Sequence, residues 1–245
     1  MNNEEKYQAI MERYGTHARG DNPKKTGSLL DTEGRTQALN IGYTEEDLTG
    51  IPEGADMCLG CGAPLFFLTI KEGDTILDLG SGGGIDCFVA AKRVGKSGRV
   101  IGIDLTPEMV EKARLNGAES GFDNVEFIHG SVENLPLADH SIDAVISNCV
   151  LNLVPDKARA FSEAARVLRP GGRICLSDIV TMGKTPLKLR SLPKAYTACL
   201  SGAILKEEYL ELMKQAGFTD ISVEKKKEWP FFNNFASIQV TACKK

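Results

Sequence analysis

The chain lacks the features that mark membrane-spanning, exported or nucleic-acid-binding proteins. Its 245 residues contain no apolar run near the roughly 20 residues that a membrane-spanning helix needs. The first six residues have neither the basic start nor the apolar core of a signal peptide. Lys and Arg number 29 against 33 Asp and Glu, and they are scattered, so the net charge of −4 offers no basic surface to nucleic acid. We therefore expect a cytoplasmic protein with no nucleic-acid or membrane partner.

Histidine is scarce, and cysteine is absent from the first 57 residues. The 3 histidines, His17, His129 and His140, are not at ligand spacing, and no second Cys-x-x-Cys accompanies Cys58 and Cys61. Half of a zinc knuckle and a redox pair remain alternative interpretations of these two cysteines. In a cytoplasmic protein we expect the 7 cysteines to be mostly reduced.

A glycine-rich turn between two apolar stretches is the most informative feature. The apolar run at residues 75–79 predicts a parallel strand covered on both faces. The glycines that follow allow a tight turn and a close approach of the backbone to a ligand. Asp104 ends the next apolar stretch, about 20 residues later, where a carboxylate can accept both hydroxyls of a ribose. This pattern predicts a nucleoside-containing cofactor, with an ordinary strand-to-helix turn as the alternative.

The charge near the turn narrows the choice of cofactor. No basic residue follows in the loop, and Asp78 lies at the end of the preceding strand. A carboxylate there would repel a pyrophosphate but suits a cationic ligand with an amino group, such as the methionine part of S-adenosylmethionine. The pattern Asp78-x-Gly80-x-Gly82-x-Gly84 resembles the first motif of the seven-stranded S-adenosylmethionine-dependent methyltransferases.

Further segments resemble that family in the same order, over about residues 71–180. They include a helix at 107–120, strands at 125–129, 141–148 and 174–179, a helix at 157–168, and a tight helix-to-strand turn at 169–173. The resemblance implies an α/β fold: a doubly wound, Rossmann-like, mostly parallel seven-stranded sheet with helices on both faces. In the family, the turn at 130–136 holds the adenine; Ser131 stands where an acid is common, and Glu133 is a nearby substitute. The implied cofactor-binding residues are Asp78, Gly80, Ser81, Gly82, Asp104, Leu105, Thr106, Met109, Ser131, Val132, Glu133 and Asn148.

Segments outside this core divide the chain into three parts. We expect residues 1–70 to form an N-terminal extension that covers the active site, with a helix at 4–14 and a loop at 17–31. Residues 71–180 form the S-adenosylmethionine-binding core. Residues 181–245 hold a cap insertion after the fifth strand and the C-terminal part of the sheet.

Three cysteines lie in segments that are expected to meet. Cys149 follows the fourth strand, and the carboxyl ends of the strands form the ligand crevice in this fold. Cys61 lies in the glycine- and proline-rich extension, and Cys199 lies in the cap. Soft thiolates select thiophilic ions, and trivalent arsenic bound by three sulfurs keeps a lone pair that can face a methyl donor. The alternative is that each cysteine is a small buried apolar residue, which is our interpretation of Cys87, Cys175 and Cys243.

The neighbourhoods of these cysteines resemble the arsenite methyltransferase family over most of residues 50–220. The stretches are Leu59-Gly60-Cys61-Gly62-x-Pro64, Ser147-Asn148-Cys149-Val150-Leu151-Asn152-Leu153 and Cys199-Leu200-Ser201-Gly202-Ala203. The resemblance implies that Cys61, Cys149 and Cys199 bind arsenic, that arsenite or its thiol conjugates are substrates, and that thioredoxin or glutathione is the reductant. Many members have a further early cysteine, which this chain lacks; Cys58 is the candidate redox substitute.

The sequence therefore predicts S-adenosylmethionine-dependent methylation of arsenite and methylarsenite by direct displacement, without a general base. Two alternatives stay open. One is a small-molecule methyltransferase for a quinol or sterol-like substrate. Such an enzyme would need a general base near Asn148. The other is a non-catalytic metalloid-binding protein that uses the same thiols.

Overall fold

A seven-stranded sheet organises the protein, whose computed structural model describes residues 2–21, 34–183, 199–228 and 234–245. Its order is β3-β2-β1-β4-β5-β7-β6, and the strands from β3 to β5 pair in parallel. β7 is antiparallel to both of its neighbours. This confirms the predicted mostly parallel seven-stranded sheet. The strands are β1 Thr75–Leu79, β2 Arg99–Asp104, β3 Val125–His129, β4 Ile142–Asn148, β5 Leu168–Thr181, β6 Phe218–Glu228 and β7 Phe235–Lys244.

Helices cover both faces of the sheet because the strand side chains alternate between two apolar cores. Ile76 of β1 packs in one core with Phe88 of the helix that follows β1. Leu77 packs in the other core with Phe161 and Tyr209, which lie in the helices after β4 and before β6. The helices are α1 Asn3–Arg19, α2 Gly34–Ile41, α3 Glu45–Leu48, α4 Ile85–Val94, α5 Pro107–Ser120, α6 Lys157–Val167 and α7 Lys206–Gln215.

The order of the strands fixes where a ligand can bind. The chain runs outward from β1 to β3 on one side and from β4 to β5 on the other, so the connections diverge between β1 and β4. At such a point the loops after the two strands separate and leave a crevice at their carboxyl ends. The turn after Leu79 and the segment after Asn148 therefore form its edges.

Two local predictions were wrong. Helix α1 extends to Arg19 into the predicted loop, because it is capped at both ends: Asn2 and Glu5 form a reciprocal capping box, and Gly20 ends the helix at φ 73°. The stretch at 169–173 is an irregularity inside β5 and not a separate turn. Leu168 already pairs with Ile142 before the register shifts. Most of the predicted cap, residues 184–198, lies outside the described residues.

Candidate active site

A cavity of about 1050 Å³, including its space open to solvent, lies at the carboxyl ends of β1, β2 and β4. It is lined by every predicted cofactor-binding residue except Asp78. Residues of the predicted N-terminal extension line the opposite side: Tyr7, Ile10, Tyr14, Ile41, Tyr43, Ala55, Asp56, Met57, Leu59 and Gly60. The core and the extension thus enclose one space.

The glycine-rich turn is held against the end of β2. The N–H groups of Gly80 and Ser81 both donate to the Ile103 carbonyl, at 2.7 and 3.0 Å. Gly80 has a φ of 74°, and a Cβ there would lie 2.3 Å from the Val150 side chain, so a larger residue would displace the wall of the cavity.

Asp104 joins this turn to the start of the next loop. Its carboxylate accepts the N–H of Gly82 and the N–H of Thr106, each at 2.9 Å. Burial raises the pKa of Asp104, while the two backbone donors act in the opposite direction. Each carboxylate oxygen keeps a lone pair for a ligand hydroxyl, which suits the predicted ribose contact.

Asp78 lies behind the cavity wall. Its side chain is 2% exposed and accepts a hydrogen bond from the Cys87 thiol at 3.3 Å. Burial raises the pKa of Asp78 well above its usual range, and the Asp86 carboxylate adds to the shift. Its direct contact with the cofactor stays a prediction.

The predicted adenine turn is tied to helix α1. Glu133 accepts the Asp156 N–H at 2.7 Å and the hydroxyl proton of Tyr7. Burial raises the pKa of Tyr7, and Glu133 raises it further. Ser131 accepts the Glu133 N–H at 3.2 Å. Glu133 therefore secures the helix that covers this end of the cavity, a role that its sequence neighbourhood did not indicate.

The three predicted thiols come together beside the cavity. The Cys199 and Cys61 thiols lie close enough to the Cys149 thiol to raise its pKa well above its usual range, and burial raises it further. Cys149 and Cys199 are 8% and 5% exposed and share an apolar cluster with Ile10 of α1 and Phe235 of β7.

The backbone at two of these cysteines is left-handed. Cys149 has a φ of 65° and Cys199 a φ of 63°, values that side-chain-bearing residues rarely adopt. The Cys149 N–H donates to the Ser177 carbonyl at 2.7 Å, and the Cys199 thiol donates to the Cys149 carbonyl at 3.2 Å. In the described part of the chain, no three or more His, Cys, Asp or Glu side chains are already arranged to hold a metal ion. Binding of one arsenic atom by all three sulfurs therefore stays a prediction.

Asn148 links the thiols to the cavity. Its amide oxygen accepts the N–H of Cys61 at 3.0 Å and that of Gly62 at 3.3 Å, and its amide nitrogen donates to the Gly62 carbonyl at 2.6 Å. The same nitrogen donates to Asp86 at 3.2 Å. Asn148 lines the cavity and its side chain also fixes the segment that carries Cys61, while its contact with the cofactor stays a prediction.

Sequence reasoning missed Asp86, Tyr43 and Tyr14. Asp86 is a buried carboxylate in the otherwise apolar first turn of α4, which was the available signal. Tyr43 donates its hydroxyl proton to Asp86. Burial raises the pKa of Tyr14 well above its usual range, and Cys199 and Cys149 add to the shift, which places this tyrosine against the thiols.

Comparison with known families gives the general class of this protein. Residues 70–217 match the family described as a methyltransferase domain, and because this is more than half of the chain, the protein belongs to that family. Among the described residues, no helix combines the length and apolar character needed to cross a membrane.

Closer relatives define the group within the class. CrArsM, an arsenic (III) S-adenosylmethionine methyltransferase from Chlamydomonas reinhardtii, is 34% identical with a TM-score of 0.67, over 86% of this chain and 73% of its own. The arsenite methyltransferase of Halobacterium salinarum is 44% identical over 82% of this chain and 52% of its own. That of Homo sapiens is 42% identical over 65% and 44%. The chain belongs to the arsenite methyltransferase family, as predicted, and spans about half the length of these two curated relatives.

Proposed function

We propose that this chain transfers a methyl group from S-adenosyl-L-methionine to trivalent arsenic held by Cys61, Cys149 and Cys199. The observation that carries the proposal is the proximity of three thiols, from three separate segments, in one apolar cluster that reaches the cavity through Cys149. Membership of the arsenite methyltransferase family supports the same substrate.

The residues of the cavity fit the cofactor. Asp104 offers its carboxylate to the ribose, the glycine turn lets the backbone approach the ligand, and the turn at Ser131 and Val132 borders the space for the adenine. When bound, S-adenosyl-L-methionine supplies a methyl group on a positively charged sulfur, from which a nucleophile can displace it.

The thiols bind the substrate by exchanging ligands. Each thiol that forms a sulfur–arsenic bond releases its proton to one arsenic-bound hydroxyl, which leaves as water, so arsenite and three thiols give one trithiolate and three waters. The arsenic keeps its lone pair and carries no proton, so no side chain has to act as a general base. Ile10, Leu153 and Leu200 keep water from the thiols, and the rate then depends mainly on alignment. Attack of the arsenic lone pair on the methyl group would form the arsenic–carbon bond, break the sulfur–carbon bond and release S-adenosylhomocysteine, which leaves the arsenic formally pentavalent. We propose an external thiol, from thioredoxin or glutathione, as the two-electron reductant that restores trivalent arsenic between turnovers.

Serine variants test the proposal. Cys149→Ser and Cys199→Ser should abolish transfer of labelled methyl groups to arsenite, because oxygen holds trivalent arsenic less tightly than sulfur does. Their calorimetric affinity for S-adenosylhomocysteine should stay within about twofold of wild type, since neither thiol belongs to the proposed cofactor contacts. Cys243→Ser, at a half-buried position in β7, is the matched control and should keep full activity.

The same assay separates the alternatives. Wild-type rates in either serine variant would refute the three-thiol site. Transfer of label to a quinol or sterol-like acceptor, with none to arsenite, would favour the small-molecule methyltransferase. Arsenite binding without any label transfer, with a thiol reductant present, would favour a metalloid-binding protein.

A further inference from the structure

One end of the cavity is acidic, and its carboxylates have neutral partners. Asp86 and Asp56 both line the cavity. Asp86 accepts hydrogen bonds from the Tyr43 hydroxyl and the Asn148 amide. Asp56 accepts the N–H of Cys58 at 2.9 Å, and its buried Oδ2 has no hydrogen-bond partner among the described residues. The end of the cavity therefore holds negative charge that these neutral donors do not balance.

The Asp86 carboxylate is buried without a directly bonded cation among the described residues. Burial raises the pKa of Asp86 to about 6, and Asp56 raises it as well. Arg93 lowers that pKa, but less than the hydrogen bonds from Tyr43 and Asn148 do. Arg93 is itself bonded to Asp47 at 2.8 Å and to the Leu65 carbonyl at 2.6 Å. A cation that entered the cavity would relieve this cost, because opposite charge stabilises a buried carboxylate.

The position of Asp86 also suits one end of the proposed cofactor. It lies in the first turn of α4, directly after the glycine turn, whereas Asp104 contacts that turn from the end of β2. A ligand whose ribose meets Asp104 therefore has Asp86 near its other end, next to Asn148 and the thiol segment. Asp78, the carboxylate that the sequence pattern favoured, is outside the lining and is bonded to Cys87.

We propose that Asp86 binds the ammonium group of the cofactor's methionine part, with the free Oδ2 of Asp56 as a second acceptor. Tyr43 and Asn148 are positioning residues that orient the Asp86 carboxylate. The assignment concerns the cofactor alone and holds for any methyl acceptor, so its failure would leave the arsenic proposal intact.

Binding measurements with three ligands test the assignment of Asp86 without any turnover. S-adenosylhomocysteine carries the ammonium group, N-acetyl-S-adenosylhomocysteine has lost its charge, and 5′-methylthioadenosine lacks the amino-acid part altogether. Wild type should bind the acetylated ligand about 10- to 100-fold more weakly than S-adenosylhomocysteine, as expected for a lost hydrogen bond to a charged group. Asp86→Asn should lose a similar factor for S-adenosylhomocysteine, barely distinguish the two ligands, and bind 5′-methylthioadenosine with unchanged affinity.

Asp178→Asn is the matched control, since it removes another buried carboxylate that does not line the cavity. It should keep the preference for S-adenosylhomocysteine over its acetylated form. A loss of that preference in Asp178→Asn, or its retention in Asp86→Asn, would overturn the assignment, as would an equal loss for all three ligands in Asp86→Asn. Asp86→Ser provides a second neutral variant in case the asparagine variant does not fold.

Discussion

The left-handed backbone at Cys149 predicts that a glycine variant and an alanine variant at this position are almost equally stable. At an ordinary buried position, replacing Ala by Gly removes a methyl group worth about 0.8 kcal/mol and adds chain entropy worth about 0.5–1 kcal/mol. At a φ of 65° glycine also escapes the cost of about 1–2 kcal/mol that a Cβ imposes there. The relief of this cost nearly cancels the two losses, so Cys149→Gly and Cys149→Ala should differ by less than about 0.8 kcal/mol in their free energies of unfolding.

Cys175 supplies the comparison. It is fully buried in β5, opposite Ile146 of β4, and is not among the residues with positive φ. There Cys175→Gly should be less stable than Cys175→Ala by about 1–2 kcal/mol. Urea-induced unfolding, with the linear extrapolation applied to each pair, measures both differences.

The deciding quantity is the Ala–Gly difference in unfolding free energy at Cys175 minus the same difference at Cys149. Effects that are common to the loss of any buried cysteine cancel in this subtraction. A value of about 1–2 kcal/mol supports the strain at Cys149. Equal gaps at both positions would show that the left-handed conformation costs nothing there, and would refute the reasoning.

Three further predictions concern the cofactor, the dependence of stability on pH, and redox chemistry. Asp104→Ala should weaken binding of S-adenosylhomocysteine by about 1.5–3 kcal/mol in calorimetry, since it removes a charged partner of the ribose; unchanged affinity would contradict the assignment. Burial raises the pKa of Asp178 to about 7 from its ordinary value of 3.8. Its stabilising effect is therefore complete below pH about 4 and is lost as the pH rises to about 7, so Asp178→Asn should flatten the fall in unfolding free energy over this range. If Cys58 replaces the missing early cysteine, turnover without reductant should leave a disulfide between Cys58 and Cys61 or another site thiol, and Cys58→Ala should slow later turnovers but spare the first. Mass mapping that finds Cys58 free while other site thiols pair would reject this role.

The features that could be predicted from the sequence are those encoded by neighbouring residues. The apolar run of β1, the glycine turn and Asp104 lie within one strand–helix–strand unit, and the parallel pairing of β1 with β2 follows from that unit. The meeting of Cys61, Cys149 and Cys199 could be predicted only through the resemblance to a family, because they lie in three separate segments.

The remaining features depend on contacts between distant parts of the chain. Tyr7 meets Glu133 across 126 positions, and Asn148 meets Cys61 across 87. No local sequence pattern predicts contacts between residues so far apart along the chain. Asp78 was predicted and Asp86 was missed because the motif gives only the position of a residue along the strand. It does not show which carboxylate reaches the cavity and which one packs against Cys87.

The position of β7 affects how the protein is made on the ribosome. β7 is synthesised after β6, yet it lies between β5 and β6 and pairs with both. A nascent chain therefore presents one open edge on β5 and a β6 strand without its partner until β7 has left the exit tunnel. Unpaired edges of this kind recruit other chains, so the nascent chain is most prone to aggregate in the interval before β7 emerges. Completion of the sheet, and of the Phe235 side of the thiol cluster, must therefore wait until β7 has emerged.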